Sequence, residues 1–373
     1  GRVVLEGGAI RITKGNEIFA GGNADGPAIQ IAGGASIEMD STQLQRYEDI
    51  TAGLVSGPGI RMAAPRISLL GNSEGGGVVA VESYGAPIEL MGARVELTGA
   101  SFARVYGLST EGLGGLASGQ TVGLRVEGTE EVRLDQASVL ASIPFNSDGT
   151  GSDQGGSILI EGGSLTLLDG SQIQAPIYSG FSGGDIRVDV SGSVVISGVR
   201  RFESSQGYEY AHSGLLARAL PGSALGARVG RIDVRADSLA VLNGGLISAS
   251  SQQTLADTGS IDIQVDGLLR VSGSQWNLPS EIVARGDEGQ AGSVTLHGRD
   301  VEFLEGTFAT VSSLGGASAG ELRVTADRNL LLRGAKFNAE ALDASSGGNI
   351  IIGAGERVDL IDSTIESNVN KED

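Results

Sequence analysis

Short couplets, in which two apolar residues flank a third residue that is polar in most copies, recur along the whole chain. In one unit the couplet Ile158 to Ile160 is followed by Leu165 to Leu167 and then by Ile173. Because alternation with a period of two is typical of a β-strand with one buried face, each unit predicts three short strands. The unit returns twelve times, and its first apolar residue lies at Val3, Ile29, Ile60, Ile88, Leu124, Ile158, Ile186, Ile232, Ile261, Val294, Leu322 and Ile350.

The interval between successive units is close to 28 residues, with a few longer gaps. A fixed core with variable connections is typical of a solenoid. One such coil cannot bury its own apolar side chains, so the coils must stack at roughly 4.8 Å per coil. The sequence therefore predicts an all-β fold, a single right-handed parallel β-helix of about twelve three-strand coils that continues through residues 1–373.

The longer gaps predict insertions near residues 103–123, 141–155, 199–230 and 272–281. Loops are free to vary where stacked coils are not, so such insertions are the expected carriers of specificity. Aromatic rings pack on the apolar faces of sugars, and arginine donates hydrogen bonds to them. The predicted ligand surface combines Arg200, Arg201, Tyr208, Tyr210 and Trp276. In the alternative interpretation, Phe202 and Trp276 form a small satellite core beneath the loops.

The charge and composition of the chain argue against several classes of partner. The 26 basic and 45 acidic residues give a formal net charge of −19, which disfavours nucleic acid and anionic membrane surfaces. No apolar stretch approaches the roughly 18 residues of a membrane span, so we expect no membrane insertion. Cysteine is absent, which excludes disulfides and thiolate metal sites.

Parallel β-helices also occur as polysaccharide lyases and hydrolases, which need clustered carboxylates on one outer face. The outward positions here have mixed signs, which indicates a solvated face with pairs between coils. We therefore expect no catalytic residue, cofactor or metal. Calcium has only the composition of Ser147 to Asp153 in its favour, and this stretch lacks the closing Glu of an EF-hand. The outward charged positions are Glu38, Glu89, Glu96, Arg125, Arg133, Arg187, Asp233, Asp262 and Arg323.

Three glycine-led units resemble the repeats of filamentous-haemagglutinin-type exoproteins of the two-partner secretion pathway. They are Gly155 to Ile160, Gly183 to Val188 and Gly347 to Ile352, each followed by further apolar couplets and by segments such as Gly245 to Ser250. The resemblance covers nearly the whole chain. It implies export across a Gram-negative outer membrane through a partner barrel transporter, and a role as a surface-bound or released adhesin. The Asn-Pro-Asn motif of that family's secretion domain does not occur in this sequence. Either the chain is a fragment or processed part of a longer exported chain, as we expect, or it is a β-helix of another lineage.

The function predicted from the sequence is a non-catalytic, adhesin-like rod, secreted or on the cell surface, that attaches to glycans or to a host or neighbouring cell. Two alternatives stay open. A polysaccharide lyase or glycoside hydrolase would require three or more acidic side chains within about 6 to 9 Å on one face. A self-assembling fibre or surface-layer subunit would have to overcome the repulsion between acidic copies.

Overall fold

The computed structural model is all-β, and no helix that could cross a membrane is found among the residues it describes. The potential calcium stretch Ser147 to Asp153 lies outside these residues. The structure describes residues 2–13, 17–20, 29–41, 47–52, 59–72, 77–84, 86–106, 122–144, 156–177, 182–204, 207–220, 227–251, 256–287, 289–314, 318–342 and 347–370.

Three parallel ladders of strands run through the stack, one for each strand of the predicted unit. The first and second strands of a coil are continuous in β1 (Val3–Thr13), β3 (Ile29–Asp40), β8 (Ile88–Thr98), β10 (Val122–Leu134), β28 (Val294–Leu304) and β30 (Glu321–Arg333). Elsewhere the first strand is separate, as β5 (Ile60–Ala63), β12 (Ser157–Gly162), β15 (Ile186–Val190), β20 (Ile232–Ala236), β23 (Ile261–Val265) and β32 (Asn349–Ala354). The separate second strands are β6 (Arg66–Leu70), β13 (Leu165–Leu168), β16 (Ser193–Ser197), β21 (Ser238–Leu242), β24 (Leu268–Ser272) and β33 (Arg357–Ile361).

The third strands form a sheet of their own, and two hairpins stand apart from all three ladders. The third strands are β2 (Glu17–Ala20), β4 (Tyr47–Ala52), β7 (Val78–Tyr84), β9 (Phe102–Tyr106), β11 (Val139–Ile143), β14 (Gln172–Ile177), β19 (Gly214–Ala219), β22 (Leu246–Ser251), β27 (Glu281–Gly286), β29 (Phe308–Ser313), β31 (Lys336–Leu342) and β34 (Thr364–Glu366), with β35 (Val369–Asn370) also on β31. The antiparallel hairpins are β17 (Val199–Ser204) with β18 (Gly207–His212), and β25 (Ser274–Gln275) with β26 (Leu278–Pro279).

The predicted first residues of the twelve units lie in one register. Val3 pairs with Ile29, Ile158 with Ile186, and each further first residue with that of the next coil. Leu165 and Ile173 occupy the second and third ladders in the same way. The prediction of a parallel β-helix is confirmed. Coils are numbered below by these first residues, so that coil six begins at Ile158 and coil nine at Ile261.

The interior is a continuous column of aliphatic side chains from all three ladders. Ile186, Val194 and Leu215 of coil seven, for example, are fully buried. The two largest fully buried residues, Phe303 and Phe337, meet edge to face with ring centroids 4.8 Å apart. A buried side chain of this size contributes roughly 1.5 to 3 kcal/mol, and the contribution repeats in every coil.

Ion pairs between neighbouring coils cover much of the outer face of the first and second strands. Arg11 lies 2.9 Å from Glu38, and Arg66 lies 3.1 Å from Glu96. The predicted cross-coil pairing of outward charges is confirmed at these positions. Exposed pairs of this kind contribute only about 0 to 1 kcal/mol each, so the buried column contributes far more to stability.

A stack of glycines precedes the first strands and explains the repeated glycine pairs of the sequence. A Cβ on Gly184, Gly230 or Gly259 would overlap the backbone carbonyl oxygen of the stacked glycine one coil earlier. Gly292, Gly320 and Gly348 are placed in the same way. The backbone at this corner therefore approaches the next coil too closely for any side chain.

The predicted insertions are narrower in the structure than in the sequence analysis. Ala103 and Ala141 are core residues of β9 and β11, so the first two insertions begin later than residues 103 and 141. Most of what remains of them, 107–121 and 145–155, lies outside the described residues. The third prediction, 199–230, includes the buried third strand β19. The fourth predicted insertion, 272–281, consists in the structure of the hairpin β25–β26, which lies between the end of β24 and the start of β27.

We expect Gly259→Ala to destabilise the protein by about 2 to 3 kcal/mol, because overpacking here can be relieved only by separating two coils. Gly353→Ala is the matched control, since a Cβ at Gly353 meets nothing within 4 Å. Urea unfolding of both variants, followed by circular dichroism, measures the difference. Equal midpoints would contradict the steric role of the glycine stack.

Candidate functional site

The corner between the second and third strands is a tight turn of two left-handed residues. In coil six these are Asp169 and Gly170, with φ values of 46° and 80°, and in coil eight Asn243 and Gly244, with 52° and 84°. Asx-Gly suits such a turn because both residues tolerate positive φ. The two coils therefore pass this corner with no added residues.

In coils seven and nine a hairpin replaces this two-residue corner. The base of β17–β18 is closed by a hydrogen bond of 2.9 Å from the Ser213 amide to the Gly198 carbonyl. A matching bond of 3.0 Å from Ser280 to Gly273 closes β25–β26. Both hairpins therefore leave the rod at the same corner, two coils or roughly 10 Å apart.

Coil eight brings the hairpins together because Gly244 at its corner has no side chain that would separate them. A Cβ on Gly244 would lie 2.5 Å from Val199 Cγ2 and 3.0 Å from the Leu278 carbonyl oxygen, so both hairpins touch this glycine. The Val199 amide donates to Gln275 Oε1 over 2.7 Å. His212 Nδ1 donates to the Gly244 carbonyl over the same distance, 2.7 Å.

An arginine between aromatic rings joins the outer parts of the two hairpins. The guanidinium carbon of Arg201 lies 4.3 Å from the ring centroid of Tyr208 and 4.4 Å from that of Trp276. Tyr210 is the cross-strand partner of Arg201, so both side chains lie on the same face of β17–β18. We call Arg201, Tyr208, Tyr210 and Trp276 the hairpin patch. Tyr208 is 58% exposed, Tyr210 is 42% exposed and Trp276 is 49% exposed.

Arg200, the fifth predicted residue, is not part of this patch. As the neighbour of Arg201 on a strand, it lies on the opposite face, where Arg200 Nη1 is 2.6 Å from Asp169 Oδ2. The structure therefore separates Arg200 from the other four predicted residues, and its contact with a ligand stays a prediction. The satellite-core interpretation is wrong, because Phe202 is 42% exposed and Trp276 is 49% exposed.

The hairpin patch offers two kinds of contact to a ligand. Stacking occupies the Arg201 guanidinium plane, but no residue in the described part of the chain forms a hydrogen bond or ion pair with it. Its N–H edge can therefore donate to an oxygen, and it can do so in a bidentate manner. The exposed ring surfaces can pack against apolar C–H faces.

A second concentration of polar chemistry lies on the outer face of the first strands of the same three coils. Arg187, Arg231, Asp233, Arg235 and Asp262 line a pocket of about 170 Å³, which we call the first-strand groove. Asp233 and Asp262 are direct partners on adjacent coils. Burial, and then the charge of Asp233, raise the pKa of Asp262. Arg187, Asp233 and Asp262 occupy outward positions as predicted, whereas the pocket that they share has no signal in the sequence.

The described residues contain no group of three or more His, Asp or Glu side chains that could hold a metal ion. The two stacked aspartates of the first-strand groove are also surrounded by three arginines, which oppose cation binding. The chemistry that this part of the structure supports is hydrogen bonding and charge pairing with a polar ligand.

Removing Arg201 should expose Trp276, the only tryptophan of the chain. We expect Arg201→Ala to shift the tryptophan emission to the red and to increase its quenching by acrylamide, because the cation no longer covers the ring. Arg270→Ala is the control, since Arg270 pairs with Glu302 on the second-strand face. Identical quenching of the two variants would show that Arg201 does not cover Trp276 in solution.

Asp262, one of the two aspartates of the first-strand groove, should make the stability of the protein depend on pH. The pKa of Asp262 is raised above its ordinary value of 3.8. The contribution of this side chain to the stability of the fold is therefore most favourable below pH 3.8 and is lost as the pH rises through the raised pKa. At pH 7, Asp262→Asn should therefore be at least as stable as the unmodified chain, with any gain vanishing in acid. Thermal unfolding midpoints of both proteins, measured from below pH 3.8 up to pH 7, test this expectation.

Asp300→Asn provides a comparison of opposite sign. The hydrogen bond from Asn329 and nearby arginines lower the pKa of Asp300, so this carboxylate stabilises the fold above its ordinary pKa and the contribution is lost as pH falls. Asp300→Asn should be less stable than the unmodified chain at pH 7. A loss of the same sign and size in both variants would contradict the assignment for Asp262.

The strand pairing within this chain determines the positions of both surfaces. Comparisons with family models, curated proteins and solved structures find no match to this chain. The parallel β-helix is established by three ladders in register, whereas membership of the haemagglutinin-type family stays a prediction from the repeats.

Proposed function

We propose that this chain is a non-catalytic, adhesin-like rod of an exported surface or extracellular protein, and that its hairpin patch binds glycans. The observation that carries the proposal is the meeting of two hairpins from different coils around Arg201. Each hairpin adds residues that the stacked core does not need. Their contacts place three exposed aromatic side chains beside a cation on a single surface.

Glycan binding is the function that this surface chemistry fits best. A pyranose ring has apolar C–H faces that pack on Tyr208 and Trp276, and hydroxyls that accept from the Arg201 N–H edge. The hairpin patch consists of four side chains, which offer much less surface than the roughly 800 Å² that each partner buries in a typical stable protein–protein interface. The acidic surface of the chain, with a net charge of −19, also disfavours nucleic acid.

The rod itself supports the adhesin part of the proposal. Twelve coils at roughly 4.8 Å give a stiff body on the order of 60 Å long, which can hold a binding surface away from its point of attachment. Export through a partner barrel transporter and location at the outer surface follow from the resemblance of the repeats to haemagglutinin-type exoproteins.

A β-helical lyase or hydrolase remains the alternative with an identifiable location, since the first-strand groove holds two stacked carboxylates. One of them, Asp262, has a raised pKa, as a general acid requires. The described residues bring two acidic side chains into the groove, whereas our criterion asks for three. Incubation with acidic and neutral polysaccharides, followed by assay of new reducing ends, tests this alternative. Scission that Asp262→Asn abolishes would replace the adhesin proposal.

We expect a panel of neutral and acidic oligosaccharides to contain a ligand that changes Trp276 fluorescence, because the ring lies in the hairpin patch. Trp276→Ala and Tyr208→Ala should each weaken binding of this ligand on a glycan array or in calorimetry at least about tenfold, a loss of about 1.4 kcal/mol. Such a loss is within the range measured for aromatic contacts at binding surfaces.

Phe102→Ala is the matched control, because Arg104 lies 3.9 Å from the Phe102 ring centroid in a similar pair on the third-strand face, away from both hairpins. It should bind like the unmodified chain. Equal losses in Phe102→Ala and Trp276→Ala, or no ligand for the unmodified chain, would overturn the proposed site.

A further inference from the structure

The first-strand groove holds two stacked carboxylates that share no arginine in the described part of the chain. Elsewhere on the first strands, Glu89 lies 3.6 Å from Arg61 of the preceding coil, and the stacked carboxylates Glu127 and Glu161 both pair with Arg125, at 3.3 and 3.0 Å. In the groove, two aspartates, Asp233 and Asp262, are direct neighbours. Like charges opposite each other are destabilising, so this pair does not contribute to the stability of the rod.

One atom of this pair lacks a hydrogen-bond partner. Asp262 Oδ1 is buried and has no hydrogen-bond partner among the described residues, although the Gln264 side chain lies close enough to the Asp262 carboxyl group to lower its pKa by hydrogen bonding. Asp233, in contrast, accepts from Arg231 Nη2 over 3.2 Å. An unsatisfied buried acceptor costs free energy and indicates a missing donor.

A donor without a partner lies beside this acceptor. Arg235, two residues after Asp233, forms no hydrogen bond or ion pair with any residue that the structure describes. The other two arginines are paired, Arg187 with Asp189 at 3.0 Å and Arg231 with Asp233. The groove therefore holds one buried oxygen in need of a donor and one guanidinium able to accept an anion.

These two requirements define the ligand. A hydroxyl can donate to Asp262, and a carboxylate can form a bidentate pair with Arg235. A bare anion would be repelled by the aspartates, and a metal cation by the arginines. The volume of about 170 Å³ is below the roughly 300 to 1,000 Å³ of pockets for drug-sized ligands, which limits the occupant to about one sugar ring.

We propose that the first-strand groove is a second binding site, which takes one uronic acid unit of an acidic polysaccharide. The sugar carboxylate pairs with Arg235, and a sugar hydroxyl donates to Asp262. This site is on the outer face of β15, β20 and β23, whereas the hairpin patch leaves the same coils at a different corner. It is separate from the glycan site proposed above and does not depend on it.

The probes for the test are trisaccharides of galacturonate, glucuronate, mannuronate and guluronate, each paired with its carboxyl-reduced form. Isothermal calorimetry should detect binding of at least one acidic trisaccharide, with at least tenfold weaker binding of its reduced form. Arg235→Gln and Asp262→Ala should each weaken binding of the acidic trisaccharide at least tenfold. The circular dichroism of both variants should stay that of the unmodified chain, since Arg235 is exposed and Asp262 is only partly buried.

Two further variants make the result specific. Arg323→Gln alters an outward arginine of coil eleven that is paired with Glu321 at 3.0 Å, and should leave binding unchanged. In a Trp276→Ala background, Arg235→Gln should still cause the same loss of binding, which separates this site from the hairpin patch. Absence of binding to all four acidic trisaccharides would overturn the proposal. Equal binding of the reduced forms, or full binding by Arg235→Gln, would also overturn it.

Discussion

The structure depends on one constraint, the hydrogen-bonded stacking of each strand on the same strand of the next coil. This stacking fixes the rise per coil at roughly 4.8 Å and requires like positions to lie above one another. It explains why inward positions are aliphatic and why a corner glycine such as Gly259 lies against the backbone of another glycine, Gly230, in the preceding coil. It also determines where extra residues can go, because a hairpin at a corner leaves both neighbouring ladders intact.

Much of the fold could be predicted because this constraint leaves a period in the sequence. The first apolar residue of each unit, from Val3 to Ile350, lies in the predicted register. The limits of the insertions could not be predicted as well, because Ala103 and Ala141 are core residues too small to stand out from a loop. The left-handed residues at the corner before the third strand differ in type from coil to coil, for example Gln136 and Ala137 in coil five but Asp169 and Gly170 in coil six, so residue type alone does not mark them.

The candidate site was predictable in composition but not in arrangement. Two insertions rich in arginine and aromatic residues indicated a common surface, and the structure places Arg201 between Tyr208 and Trp276. Which of the two adjacent arginines faces that surface depends on the pairing of β17 with β18, and no period in the sequence encodes it. The same limit applies to the first-strand groove, whose charged residues come from three coils, the first two of which are separated in sequence by the hairpin β17–β18.

Both surfaces belong to coils seven to nine, and the scaffold gives a physical reason for this grouping. A coil without an insertion, such as coil eight, holds the hairpins of its two neighbours roughly 10 Å apart, which is a distance that long side chains can span. Gly244 at its corner then allows both hairpins to make contact. On the opposite side of these coils, the first strands remain flat and in register, so adjacent side chains form a groove rather than a loop. A β-helix can therefore present two chemically different surfaces on the same three coils without altering its core.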